Sequence, residues 1–74
     1  MYKESFPSKL KKAREESGYT QTEIAERLHL KQYQISYYET GKTEPDIETL
    51  GKLADFYCVS LDWLLGTNGG KKNE

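Results

Sequence analysis

The stretch TQTEIAERLHLKQYQISYYETG, residues 20–41, decides the fold. It opens on Thr20-Gln21-Thr22-Glu23, a capping box: the threonine oxygen takes the backbone N–H of Glu23, whose side chain reaches back to the N–H of Thr20. Ile24, Ala25 and Leu28 then share one face of a short helix ending near Leu28. His29-Leu30-Lys31 reads as a tight turn, and a further helix follows to Thr40, stopped by Gly41. Helices joined by so short a turn cross steeply, because the connection forbids antiparallel stacking. On a wheel of about 100° per residue, Ile35, Tyr38 and Glu39 share the inward face. Tyr33, Ser36, Tyr37 and Thr40 take the outward face, with Gln32 exposed at the first turn. None of these outward residues is acidic.

On the N-terminal side, a helix is expected from about Ser5 to Ser17, where Leu10, Ala13, Arg14 and Ser17 fall at i, i+3, i+4 and i+7 before Gly18. On the other side, Gly41 to Pro45 is a loop. Asp46 caps a fourth helix with Ile47, Leu50, Leu53, Ala54 and Tyr57 at helical spacing, and Ser60 caps a short fifth, Leu61 to Leu65, closed by Gly66. No stretch alternates like a strand and nothing repeats. The expected fold is all-α, a compact bundle of five short helices with a helix-turn-helix, in one domain over residues 1–66. Residues 67–74, TNGGKKNE, are mostly Gly, Asn and Lys with nothing to bury, and a disordered tail is expected there.

Seventy-four residues are near the lower limit for a single apolar core. One cysteine, Cys58, allows no internal disulfide, and one histidine with one cysteine does not supply the set a structural zinc needs. No metal and no cofactor are therefore expected, and stability falls to helix packing, caps and a partner subunit. No apolar run approaches the roughly 20 residues of a membrane span, and the N-terminus lacks a signal-peptide core. A cytoplasmic protein with a free thiol is expected. The net charge of −1 speaks against a strongly basic nucleic-acid binder. Its distribution is uneven: residues 1–42 carry +2 and residues 43–74 carry −3. A duplex meets the facing surface first, so the mild N-terminal bias is compatible with docking.

Several motifs span the chain: Thr20-Gln21-x-Glu23-Ile24-Ala25-x-x-Leu28, Ile35-Ser36-x-Tyr38-Glu39-x-Gly41, Pro45-Asp46-x-x-x-Leu50-x-x-Leu53-Ala54, and Val59-Ser60-x-Asp62-x-Leu64-Leu65-Gly66. Together they resemble the lambda-repressor-like family, the Cro/repressor class of helix-turn-helix regulators, over roughly residues 8–66. The resemblance implies that the third helix is a recognition helix, with Gln32, Tyr33 and Tyr37 at positions that reach base edges and Ser36 beside them. It implies that Thr20 and Gln21 grip phosphate at the start of the second helix, and that Thr40 and Lys42 meet the DNA backbone from the following loop. Lys31, at the head of the recognition helix, completes that set. Arg14 and Glu39 match a structural ion pair; the wheel independently turns Glu39 inward, where an unpaired carboxylate is costly.

Three positions depart from the family pattern. His29 stands where the turn usually has glycine, so either a non-glycine residue is left-handed or the turn differs. Lys31 replaces the usual Ser/Thr cap and cannot accept a backbone hydrogen bond, which leaves that helix start to fray or to be completed by another acceptor. Cys58 replaces a glycine before Val59, at a similar conformational cost.

The function expected is sequence-specific binding of double-stranded DNA by a transcriptional regulator that occupies a palindromic operator as a homodimer; repression is what the family resemblance alone implies. The expected dimer surface is Phe56, Tyr57, Leu61 and Trp63, although Phe56 and Trp63 could equally finish the core. The alternative is an antitoxin-like or anti-regulator module that binds protein through the same helices, since exposed tyrosines such as Tyr33 and Tyr37 also anchor protein interfaces. An enzyme is not expected: His29 reads as a turn residue, Cys58 as a small residue at a helix end, and Lys9, Lys11 and Lys12 as a solvated face.

Overall fold

Each of five helices contributes one fully buried large side chain, and the bundle assembles around them: Leu10, Ile24, Ile35, Leu53 and Leu64. Burying each such side chain is worth about 1.5–3 kcal/mol. The computed structural model describes residues 2–66 (side chains from residue 5 onward). The helices are α1 (Tyr2–Ser17), α2 (Gln21–Leu28), α3 (Gln32–Thr40), α4 (Ile47–Tyr57) and α5 (Leu61–Leu65). The described residues form an all-α bundle with no strand. Helix α1 is the hub, packing on α3, α4 and α5, while α2 packs on α3. Phe6, Ala13, Ala25, Tyr38, Ala54 and Tyr57 complete the core. The tail expected to be disordered lies outside the described residues.

Local chemistry accounts for the helix boundaries. Thr20 Oγ1 accepts the N–H of Glu23 at 3.1 Å and Glu23 Oε1 accepts the N–H of Thr20 at 2.8 Å, closing the capping box at α2. Asp46 Oδ1 accepts the N–H of Thr49 at 2.8 Å and Ser60 Oγ that of Trp63 at 3.0 Å, starting α4 and α5. The two hydrogen bonds at Thr49, from its backbone and side chain, hold the Asp46 carboxyl below its usual pKa. Gly41 ends α3 at φ 82°, and a Cβ there would stand 3.3 Å from Pro7 Cγ.

Three expectations are corrected. Helix α1 begins at Tyr2 and runs through Pro7, earlier than Ser5. Proline reads as a first-turn residue, but Phe6 joins Leu10 and Ala13 at i, i+4 and i+7 in the core and carries the register upstream. Ser17, placed on the inward face, is exposed in the last turn. Ile47 keeps helical spacing with Leu50 and Leu53 yet is 87% exposed, because at the first residue of α4 no neighbouring element covers it.

His29 and Cys58 both adopt the left-handed conformation, at φ 60°, ψ 44° and φ 58°, ψ 44°. Each donates its backbone N–H into the last turn of its helix, to Ala25 and Glu26 carbonyls for His29 and to Ala54 and Asp55 carbonyls for Cys58. The conformation costs a non-glycine residue about 1–2 kcal/mol, partly offset because glycine loses about 0.5–1 kcal/mol more backbone freedom on folding. His29→Gly and Cys58→Gly are each expected to raise stability by about 0.5 kcal/mol. Urea unfolding reads this as a higher midpoint at unchanged slope; a lower midpoint would refute the strain account.

Candidate nucleic-acid interface

Glu39 lies on the inward face of α3 and is only 6% exposed. Arg14, reaching from α1, meets it with two parallel bonds: Nε donates to Oε2 at 2.7 Å and Nη2 donates to Oε1 at 3.0 Å. The remaining guanidinium nitrogen, Nη1, donates to the Tyr19 carbonyl at 2.8 Å, tying in the α1–α2 connection. The hydrogen bond to Glu39 raises the Arg14 pKa further above its ordinary value, against the opposing effect of burial. Gln21 Nε2 adds a third donor to the same carboxylate at 3.1 Å. Three helices therefore converge on one buried anion.

That arrangement orients the start of α3. With its amide nitrogen given to Glu39, Gln21 turns Oε1 outward, where it accepts from Gln32 Nε2 at 2.6 Å. The first residues of α2 and α3 are thus joined side chain to side chain. Lys31 precedes α3 with its ammonium exposed and makes no side-chain cap. An ammonium has no lone pair to offer, so only half of a capping box forms: Gln34 Oε1 accepts the backbone N–H of Lys31 at 2.8 Å. Gln34 was not anticipated as a supporting residue. Its place three residues after the cap position was the available signal, hidden because Lys31 does not read as a cap.

Along the outward face, Tyr33 is 56% exposed and Tyr37 half-buried, their rings edge-on at 5.5 Å. The Lys42 ammonium rests over the Tyr37 ring, 4.7 Å from its centroid. Ser36 is half-buried, and exposed Thr40 donates its hydroxyl to the Ser36 carbonyl at 3.0 Å and the Tyr37 carbonyl at 3.3 Å. Thr20 is exposed beside Gln21, with its oxygen engaged in the cap. Two groups emerge: Gln21 with Gln32, and Tyr33 with Tyr37 and Lys42.

The anticipated dimer residues divide. Tyr57 is 7% exposed and belongs to the core, because Leu53, Ala54 and Tyr57 share the inward side of α4; its ring offers no surface to a second subunit. Burial pushes its phenol pKa well up. Phe56 is half-buried with its ring 5.2 Å from that of Tyr19. Trp63 is half-buried beneath the Lys9 ammonium at 5.5 Å, whereas Leu61 is 44% exposed. Among the described residues no His/Cys/Asp/Glu group is arranged to hold a metal, and no helix is long and apolar enough to cross a membrane.

Residues 10–64, which include α2, its short connection and α3, match a helix-turn-helix family model. The chain belongs to the helix-turn-helix family, in its lambda-repressor-like branch. Over 71 residues it is 46% identical to the HTH-type transcriptional regulator ImmR of Bacillus subtilis (strain 168), covering 95% of this chain and 56% of that protein. It is 43% identical over 60 residues to the SPbeta prophage-derived uncharacterized HTH-type transcriptional regulator YonR of the same organism, covering 81% of this chain and 56% of the relative. A third relative, the HTH-type transcriptional activator BcrR of Enterococcus faecalis, is 37% identical over 60 residues, covering 81% of this chain and 29% of its own length. The chain thus spans about half the length, or less, of these curated relatives.

Removing Arg14 leaves the Glu39 carboxylate buried with Gln21 as its remaining side-chain donor. Arg14→Ala is therefore expected to lower stability by about 3 kcal/mol, and Arg14→Met with Glu39→Leu to recover most of that loss. Thermal or urea melts of the single and double variants measure both. An unchanged melt for Arg14→Ala would mean that the pair carries no constraint.

Proposed function

We propose that this chain is a sequence-specific, double-stranded-DNA-binding transcriptional regulator that represses by occupying a palindromic operator as a homodimer. One observation carries the reading: α3 presents Gln32, Tyr33, Ser36, Tyr37 and Thr40 outward while its one carboxylate, Glu39, is turned into the core and paired. A surface without acidic groups, flanked by exposed Lys31 and Lys42, suits the negative field of a major groove. Gln32 can contact adenine through its amide, and Tyr33 can meet a thymine methyl. Thr20 and Gln21 lie at the start of α2, and Thr40 and Lys42 at the end of α3 and in the loop after it, from which phosphate contacts would come. Membership of the helix-turn-helix family and the similarity to ImmR and YonR, both named transcriptional regulators, support the regulator assignment.

Recognition geometry supports a homodimer. One recognition helix reads only a few base pairs, and two placed about one helical turn apart read a palindrome. Leu61, with the exposed parts of Phe56 and Trp63, forms the surface proposed for the second subunit. The domain over residues 1–66 would suffice for docking. Occupancy needs no catalytic group and no cofactor, and its natural setting is the cytoplasm. Repression is the sense assigned here on the Cro/repressor resemblance, whereas the relative BcrR carries the name of an activator.

In-vitro selection on a random duplex library tests the reading. An inverted repeat with half-site centres about one turn apart is the expected product. Gln32→Ala should then weaken the selected site by about 1–3 kcal/mol and relax preference at one position of each half-site. Binding that barely changes with salt, or no enrichment from a folded protein, would move the assignment to the protein-binding alternative. Leu61→Lys should shift sedimentation toward the monomer and reduce the apparent cooperativity of operator binding; an unaltered association state would place the dimer contact elsewhere.

A further inference from the structure

We infer that Tyr37 acts on DNA through Lys42: its ring is a platform that holds the lysine ammonium in place for a phosphate, and Tyr37 is a positioning residue, not a base reader. This rests on the DNA-binding reading above. Lys42 is held at both ends by one residue. At the backbone, the Tyr37 carbonyl accepts the N–H groups of Gly41, of Lys42 at 2.9 Å and of Thr43 at 3.5 Å. Gly41, left-handed at φ 82°, folds the chain back so that Lys42 returns over the last turn of α3. At the side chain, the ammonium lies 4.7 Å from the Tyr37 ring centroid, within reach of the ring's negative face.

The consequence is preorganisation. A lysine free in solvent samples many rotamers and must be ordered when it meets a phosphate, whereas one resting on a ring has already lost that freedom. The same contact occupies Tyr37. One part of its ring is covered by Lys42 and another abuts Tyr33 edge-on at 5.5 Å, and the residue is half-buried. Tyr33, 56% exposed, projects beyond the pair and is left as the tyrosine available to bases. Labour on the outward face is thereby divided: Gln32 and Tyr33 discriminate sequence, and Tyr37 with Lys42 supplies a sequence-independent phosphate contact.

Salt titrations of Tyr37→Phe, Tyr37→Leu, Lys42→Gln and Tyr37→Leu with Lys42→Gln test this on two probes, the selected operator duplex and a mixed-sequence duplex of equal length. Tyr37→Phe retains the ring and should match the parent in affinity, base preference and salt slope. Tyr37→Leu should weaken both duplexes by the same factor, flatten the log K against log salt plot by up to about 0.9 per bound subunit, and add nothing once Lys42→Gln is present. In the free protein, the Lys42 ε-methylene protons should be shifted upfield by the ring in the parent and Tyr37→Phe and return to ordinary positions in Tyr37→Leu, a readout independent of DNA. Loss of base preference in Tyr37→Phe, additivity of Tyr37→Leu with Lys42→Gln, or unshifted lysine protons in the parent would each overturn the inference while leaving DNA binding standing. A parent that binds neither duplex would overturn the inference and the proposed function together.

Discussion

One buried carboxylate organises the surface of this protein. Glu39 points into the bundle, and Arg14, Gln21 and, through Gln21, Gln32 arrange themselves around it. Taking two charges out of water costs about as much as their attraction returns, so the pair contributes less to net stability than to uniqueness. A turn of α3 about its axis by one residue, about 100°, would carry Glu39 away from Arg14 and leave the guanidinium fork unmatched. The outward face of α3 is thereby fixed from the inside.

Around that pair the chain uses tight connections, and two of them are strained. His29 and Cys58 are left-handed without being glycine, each closing a helix with backbone bonds into its last turn. The core of Leu10, Ile24, Ile35, Leu53 and Leu64 carries enough apolar burial to hold such local strain in place.

Much of this was legible in the sequence because small helical domains are punctuated by residues with narrow conformational roles. Thr20, Asp46 and Ser60 announced helix starts, and Gly18, Gly41 and Gly66 announced stops. The inward turn of Glu39 followed from the wheel alone. The wheel failed at helix ends: Ile47 obeys the spacing but has nothing above it, and Ser17 obeys it yet is exposed in the last turn of α1. Tyr57 illustrates another limit, since an aromatic residue near a domain's edge has the same periodicity whether it faces a second subunit or its own core. The link between Gln21 and Gln32, the help Gln34 gives Lys31, and the resting place of Lys42 had no one-dimensional signature. Each depends on where two side-chain tips meet after the helices have crossed.

The short contact between Gln32 and Gln21 also bears on how such a protein can change over generations. A substitution at position 32 alters what α3 offers outward and at the same time removes the partner of an amide that steadies the buried carboxylate. The outward surface and the scaffold are mutated together at that site. Tyr33, whose contact is an edge-on ring and whose surface is mostly free, carries no comparable obligation. On the proposed reading of α3 as the DNA-facing helix, divergence toward new target sequences is open in single steps at position 33 and constrained to paired steps at 21 and 32, so that evolutionary freedom is unequal along its length.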